Sequence, residues 1–350
     1  MTLKEYLKEQ SMNLREEDYH AYPAWSYSLI ARYAKEGFGA IATIHEPMKP
    51  TPSMEFGTLF DTIITRGPKA LEEYSVVDVS VPDAERKALD YISTCTHEQF
   101  SNLSVDYIFD RCQECGYQPR WKAPTVYEHL APFQKYYDAK QSGKKLVSQQ
   151  DWQDAAEMAL AFRNNEYTQS LFGNEDKNGI EYLYQTQFCE EVTLPSGKVV
   201  SLKIMPDLIV IDNNNKTVQL VDLKTSSVPS RDFKENFLKF RYDIQARLYS
   251  DVLSYIISKN PAFNDYEILD YLFTDISRTD KIPLTYRYPQ NDESQINGFS
   301  FTIGDKTYQY KDWDVLLDEI LDYEESQAVV PSYLTTEGPN DLLDILSSAK

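Results

Sequence analysis

Asp222 and Lys224 stand two apart in the run Val221-Asp222-Leu223-Lys224-Thr225. In an extended strand residues two apart project from one face, so this spacing sets an acid beside a base while Leu223 turns to the other side. Asp207 lies in a second apolar run, "IMPDLIVI", and the short turn "DNNNK" between the two runs makes them neighbouring strands. Two carboxylates buried within a few ångströms of each other would cost on the order of several kcal/mol in desolvation and repulsion, unless a cation lay between them. A divalent ion meets that need. Mg²⁺ or Mn²⁺ prefers oxygen ligands and keeps several waters, so Asp207, Asp222, a backbone carbonyl such as that of Leu223, and water would complete its shell. Lys224, beside the metal, would orient or deprotonate the attacking water and stabilise charge on a scissile phosphate. The chemistry expected is phosphodiester hydrolysis. The plainer alternative is an ion pair between Asp222 and Lys224 at a strand end, with Asp207 entering a turn.

The elements around these residues are legible from pattern. "IEYLYQTQFCEEVTL", "VVSLKIMPDLIVI" and "TVQLVDLKT" read as three antiparallel strands joined at "PSGK" and "DNNNK". "YDIQARLYSDVLSYIIS" follows as an amphipathic helix with Ile244, Leu248, Val252, Tyr255 and Ile256 on one stripe. Two further strand-like runs, "EILDYLFTDIS" and "IPLTYRYP", precede a last helix around "DWDVLLDEILDYEE". Upstream, Ala156, Met158, Ala159, Leu160 and Phe162 make a helix that ends near Gly173. Residues 1 to about 70 read as largely helical, and residues 70–150 as an insertion or elaboration. The division expected is 1–150, a mainly helical elaboration; 151–335, the core; and 336–350, a polar tail, all in one integrated domain.

Pro206-Asp207, then Asp222-Leu223-Lys224-Thr225, then Tyr242-Asp243-Ile244-Gln245 running on to Tyr249 resemble the PD-(D/E)XK nuclease superfamily. The resemblance is to its RecB-like branch, with phage exonucleases and exodeoxyribonuclease VIII-like proteins, and covers about fifty residues. It implies a restriction-endonuclease-like α/β core, a mixed β-sheet flanked by helices, and an Mg²⁺- or Mn²⁺-dependent deoxyribonuclease. It further implies that Gln245 holds a DNA phosphate or the general base and that Tyr249, one helical turn on, contacts the nucleic acid. More weakly, "FGTLFDTIIT" is similar to a Gly-x-x-x-His helix whose His ligates metal. Gly57 is in place, but Asp61 stands where that His is expected, and as a hard oxygen ligand it would substitute. The context implied is phage or prophage recombination in a bacterial cytoplasm. DNA would be the partner, with a phage single-strand annealing protein and a homo-oligomer as further candidates. A catalytically inactive nuclease-fold regulator is the alternative.

The formal charge of −20 and pI of about 4.6 repel polyanions and argue against a passive nucleic-acid coat. An acidic enzyme can still act on DNA where Lys and Arg line a cleft. No apolar run approaches the ~20 residues of a membrane span, and "MTLKEYLKEQSMNL" lacks the apolar core of a signal peptide. Four cysteines suit a reducing setting. Cys112-x-x-Cys115 is half of a zinc site, but a Cys95-x-His97 pair is poorly spaced to complete it, so reduced thiols are expected. The apolar repeat in "GPNDLLDILSSAK" is a frayed helix or a docking segment.

Overall fold

The computed structural model describes residues 1–46, 50–77, 80–171, 176, 178–295 and 298–325. Gly173 and the tail at 336–350 lie outside the described residues. The chain forms two compact units, one of residues 1–51 with 161–350 and one of residues 52–160.

The first 51 residues therefore belong with the sheet rather than with a separate helical block. The reason is apolar surface. α1 (Leu3–Gln10), α2 (Glu16–Ala21) and α3 (Tyr27–Glu36) come first, and Leu3, Leu7 and Ile30 are wholly buried in the same core as the strands. Thr2 and Glu5 close a capping box at the start of α1, each side chain bonding the other residue's backbone N–H.

The unit of residues 52–160 contains α4 (Pro52–Arg66), β1 (Tyr74–Val77), α5 (Asp83–Cys95), α6 (Val105–Glu114), α7 (Ala123–Leu130), α8 (Gln134–Gln141), β2 (Lys145–Ser148) and α9 (Gln149–Asn164) as far as Leu160. β1 and β2 pair in parallel. Leu89, Ile92, Phe100, Ile108, Val126, Leu130 and Tyr137 fill its core.

The sheet returns to the first unit. β3 (Ile180–Tyr184), β6 (Leu208–Asp212), β7 (Thr217–Ser226), β9 (Tyr271–Ser277) and β10 (Pro283–Tyr288) lie in the order β10-β9-β7-β6-β3, with β8 (Glu267–Ile268) also on β7. β4 (Phe188–Thr193) and β5 (Val199–Ile204) form a separate antiparallel hairpin, as do β11 (Ser300–Ile303) and β12 (Lys306–Gln309). The fold is thus α/β with mixed sheets flanked by helices.

Two strands expected as continuous are broken. "IEYLYQTQFCEEVTL" divides at Gln185, whose φ of 44° leaves the extended region. "VVSLKIMPDLIVI" divides at Met205-Pro206, because proline has no N–H to carry a ladder onward. The break frees Asp207 from regular pairing at the mouth of β6.

β6 and β7 are antiparallel, whereas β7 and β9 are parallel, which requires a crossover. α10 (Phe233–Phe240) and α11 (Tyr242–Ser258) lie on it. Ile244, Leu248, Val252 and Ile256 are buried as their stripe requires, but so are Ala246, Leu253 and Ile257 on other faces. α11 is a central helix, packed against α1, α3, β5 and α12 (Trp313–Glu325), and not a one-sided surface helix. Tyr255, assigned to the buried stripe, is 40% exposed, with the Lys259 ammonium lying over its ring at the helix end. Leu160 is likewise exposed on α9.

Candidate active site

β7 supplies the centre. Its register places Asp222 opposite Phe273 and Lys224 opposite Asp275 on β9, while Leu208 pairs with Val221 on the other side. One step beyond that pairing, Asp207 comes level with Asp222. The Asp207 Oδ2 accepts the Leu223 N–H at 2.7 Å. Because the N–H and C=O of one strand residue point to the same side, the Leu223 carbonyl is also turned toward Asp207.

α11 covers this face. Gln245 Nε2 donates to Asp222 Oδ1, and Lys224 Nζ donates to Gln245 Oε1 at 3.1 Å. Lys224 Nζ lies 2.5 Å from Asp222 Oδ2 and 4.6 Å from the centre of the Tyr242 ring. Gln245, 5% exposed, thus joins the acid to the base with both ends of its amide. Tyr249, one turn further along α11, is half-buried, and its phenol feels the charges of Asp222 and Asp207.

The entry of α11 is held by Arg241, a non-glycine residue at φ 56° that ends α10 and begins α11. A left-handed residue of this kind costs on the order of 1–2 kcal/mol. Two hydrogen bonds from its guanidinium to Asp243, both 2.9 Å, and one to the Lys311 carbonyl at 3.1 Å offset that cost. The turn fixes Tyr242 and Gln245 over β7.

Charge is unevenly accommodated. Burial, and then the charge of Asp222, push the Asp207 carboxyl up to about 7, with Lys224 and the Leu223 N–H pulling the other way. Burial also raises Asp222, against the opposing effects of Lys224 and Gln245. Burial would lower Lys224, but the charges of Asp222, Tyr242 and Asp207 outweigh it and hold the ammonium above its ordinary value. A lysine held protonated is suited to orienting water and stabilising negative charge, and not to taking a proton.

Buried polar atoms without hydrogen-bond partners concentrate here. Among the described residues five such side-chain atoms occur, and Asp222 Oδ2, Tyr271 Oη, Asp275 Oδ1 and Tyr288 Oη are four of them. By strand register all four lie on the face that carries Lys224. Orphaned buried oxygens are costly, and the one on Asp222 is where a further polar species would complete the site. Asp222 Oδ2 faces the Lys224 ammonium closely but off the hydrogen-bond line, which leaves acceptor capacity open. Two carboxylates, one of them with an open oxygen, and a turned carbonyl are all hard oxygen donors, and such a set fits Mg²⁺ or Mn²⁺. Among the described residues no group of three or more His, Cys, Asp or Glu side chains converges, so water and backbone would make up the remaining ligands.

Sequence reading gives no role to Tyr242, though the motif includes it, and does not single out Tyr271 or Asp275. Asp275 is fully buried, accepts the Ser226 hydroxyl at 3.0 Å, and is raised to about 6 by burial, against the pull of Ser230 and Ser226. Its signal was available: like Asp222, it is an acid inside an apolar strand, "YLFTDIS". Gly57 and Asp61 lie one turn apart on α4, as expected, but in the unit of residues 52–160. Asp61 is half-buried there, and its carbonyl accepts the Thr65 hydroxyl at 2.6 Å. Cys112 is buried in that unit's core, where burial pushes its thiol up to about 12, and Cys115 is exposed.

No known family model matches the chain, and no curated protein matches it. No helix among the described residues is long and apolar enough to cross a membrane.

Proposed function

We propose that this protein is an Mg²⁺- or Mn²⁺-dependent deoxyribonuclease that hydrolyses phosphodiester bonds, acting on DNA ends. The observation that carries the reading is Asp207 and Asp222 set side by side, with an open Asp222 oxygen and a charged Lys224 bridged to it by Gln245. The order of these residues along the chain is that of the PD-(D/E)XK pattern, and the preference for ends and the phage recombination setting rest on that resemblance.

Asp207, Asp222 and the Leu223 carbonyl would hold the ion, which when bound supplies Lewis-acid stabilisation and an acidified water. Lys224 keeps its proton and stabilises the negative charge that develops on the phosphate, and Gln245 holds Lys224 in line with Asp222. The partly buried Tyr249 lines the same face and is proposed to meet the nucleic acid.

Purified protein incubated with end-labelled linear and covalently closed circular duplex DNA tests this, with Mg²⁺, with Mn²⁺ and with EDTA. Metal-dependent loss of the linear DNA alone is expected. Nicking of circles would replace the end-directed reading with an endonuclease. Binding of DNA without cleavage in either metal would overturn catalysis and leave a nuclease-fold binding protein.

A further inference from the structure

Lys224 is the inner end of a cation–aromatic series that runs to the protein surface. Its ammonium lies over the Tyr242 ring, and that ring stacks on Phe240 at 5.6 Å between centroids. Around Phe240 stand two more ammonium groups, Lys35 from α3 at 5.4 Å and Lys239 from α10 at 5.2 Å. Phe240 and Tyr242 are half-buried, whereas Lys35 and Lys239 are exposed. The Tyr27 hydroxyl donates to the Phe240 carbonyl at 2.7 Å and pins the ring's backbone between α3 and α10.

Neither outer lysine has an acidic partner among the described residues. That matters in a chain with a formal charge of −20, where a cation neutralised by a neighbouring acid offers nothing to a polyanion. Lys216 shows the contrast. It too lies over a ring, that of Tyr266 at 4.6 Å, but it also pairs with Asp265 and stands at the far end of β7 from Lys224. The two are eight residue steps apart, roughly 26 Å at the usual rise.

We infer that Lys35 and Lys239, seated on the Phe240 ring, form a strand-binding subsite at the mouth of the candidate active site, in which the two lysines take backbone phosphates of the nucleic acid. The inference rests on the nuclease reading and extends it, because it assigns contacts beyond the scissile phosphate. The chemistry fits a single strand: ammonium groups neutralise phosphates without regard to sequence, and the Phe240 ring, stacked on Tyr242, holds both ammonium groups at one place. Lys224 stabilises the phosphate that reacts, and the outer lysines hold those beside it, so losing them weakens binding without removing the reacting groups.

The test is binding of a labelled single-stranded oligonucleotide in Ca²⁺, measured across a series of salt concentrations, for wild type, Lys35→Ala, Lys239→Ala, the double variant, both Lys→Arg forms and Lys216→Ala. Each alanine in the subsite should reduce the slope of log K against log salt by about 0.7, and the double variant by about twice that. The arginine forms should restore the slope, and Lys216→Ala should leave it at the wild-type value. If wild type binds and cuts DNA while the double variant keeps the full slope, the subsite is overturned and the nuclease reading stands. If wild type binds no oligonucleotide in Ca²⁺ and cuts none in Mg²⁺ or Mn²⁺, both fall.

Discussion

Lys203 is buried and Lys224 half-buried, on strands that lie close in the chain, and the two are treated in opposite ways. Lys203, on β5, is 5% exposed and donates to the carbonyls of Tyr19 and His20 at 2.9 Å and of Tyr22 at 2.8 Å, with the Tyr19 ring 5.2 Å away. All three donors of the ammonium are used. The carbonyls belong to the last turn of α2 and its C-cap residue Tyr22, where the helix dipole favours a cation. No carboxylate faces it, and burial lowers its pKa. Lys224 faces two carboxylates, which raise its pKa against the pull of burial, and the nearer carboxylate keeps an oxygen without a hydrogen bond. Lys203 is a closed arrangement, which ties residues 19–25 to the β4–β5 hairpin. Lys224 is an open one. A buried charge signals chemistry when its surroundings leave acceptor capacity open, and structure when they do not.

The largest effect expected from breaking this contrast is on rate. Lys224→Ala should bind DNA in Ca²⁺ and fold normally, yet lose cleavage by about 10²–10³-fold, the usual consequence of removing one group that stabilises transition-state charge. Cleavage assays in Mg²⁺, with gel shifts on the same preparation, decide it. A variant that cuts at the wild-type rate reduces Lys224 to a second Lys203.

The reciprocal change should act on stability. Lys203→Met keeps the apolar stem but takes the ammonium from the His20 carbonyl and from the Tyr19 and Tyr22 carbonyls, which each keep a backbone N–H, and should cost about 1–3 kcal/mol in urea unfolding, the usual cost of one buried polar group left unpaired. Hydrogen exchange should quicken in residues 12–25 before it does in β6 and β7. Wild-type stability in this variant would mean that the tie of residues 19–25 to β5 contributes nothing.

How much of this was legible follows from the same two residues. Lys224 could be read because its partner sits two positions away and the strand period puts both on one face. Lys203 could not, because its partners are backbone carbonyls some 180 residues upstream, and carbonyls carry no sequence signature. Gln245 and Tyr249 were placed by a resemblance, and the geometry brings both to the face that periodicity assigned to Asp222. Tyr242 was quoted as part of the motif but given no role, since a cation–aromatic contact between a strand and a helix depends on the left-handed turn at Arg241, which nothing in "FRYD" announces. The α/β class was legible from the strand and helix runs. The breaks at Gln185 and Met205-Pro206 were not read, although the proline was in plain sight, because the apolar run on either side of it looked continuous. The burial of residues 1–51 in the sheet's core was also missed, for helices α1 and α3 show only an amphipathic face and not the partner it covers.

The smallest effect, roughly a few degrees in melting temperature, concerns Asp207 and sharpens the comparison by pH. An ordinary carboxyl loses its proton at 3.8, whereas Asp207 in the folded protein holds one up to about 7. Between those values the folded state binds more protons than the unfolded chain, so stability falls as pH rises through the interval. Asp275 and Asp312, each raised to about 6, slope the same way but finish earlier than Asp207, beside which burial raises Asp222 as well. In EDTA the wild type should lose melting temperature steadily from pH 6 to 7.5, and Asp207→Asn should flatten that segment, because an amide has no proton to release. With saturating Mn²⁺ the wild-type trend should reverse, since carboxylates bind metal in their deprotonated form and the stabilisation grows as the proton leaves. Lys203→Met offers the control: no carboxylate faces its ammonium, so its curve should run parallel to wild type across the span at a lower temperature. If wild type and Asp207→Asn run parallel in EDTA, Asp207 ionises as an ordinary surface acid, the two carboxyls do not share a proton, and the open site around Lys224 loses the strain that distinguishes it from the closed one around Lys203.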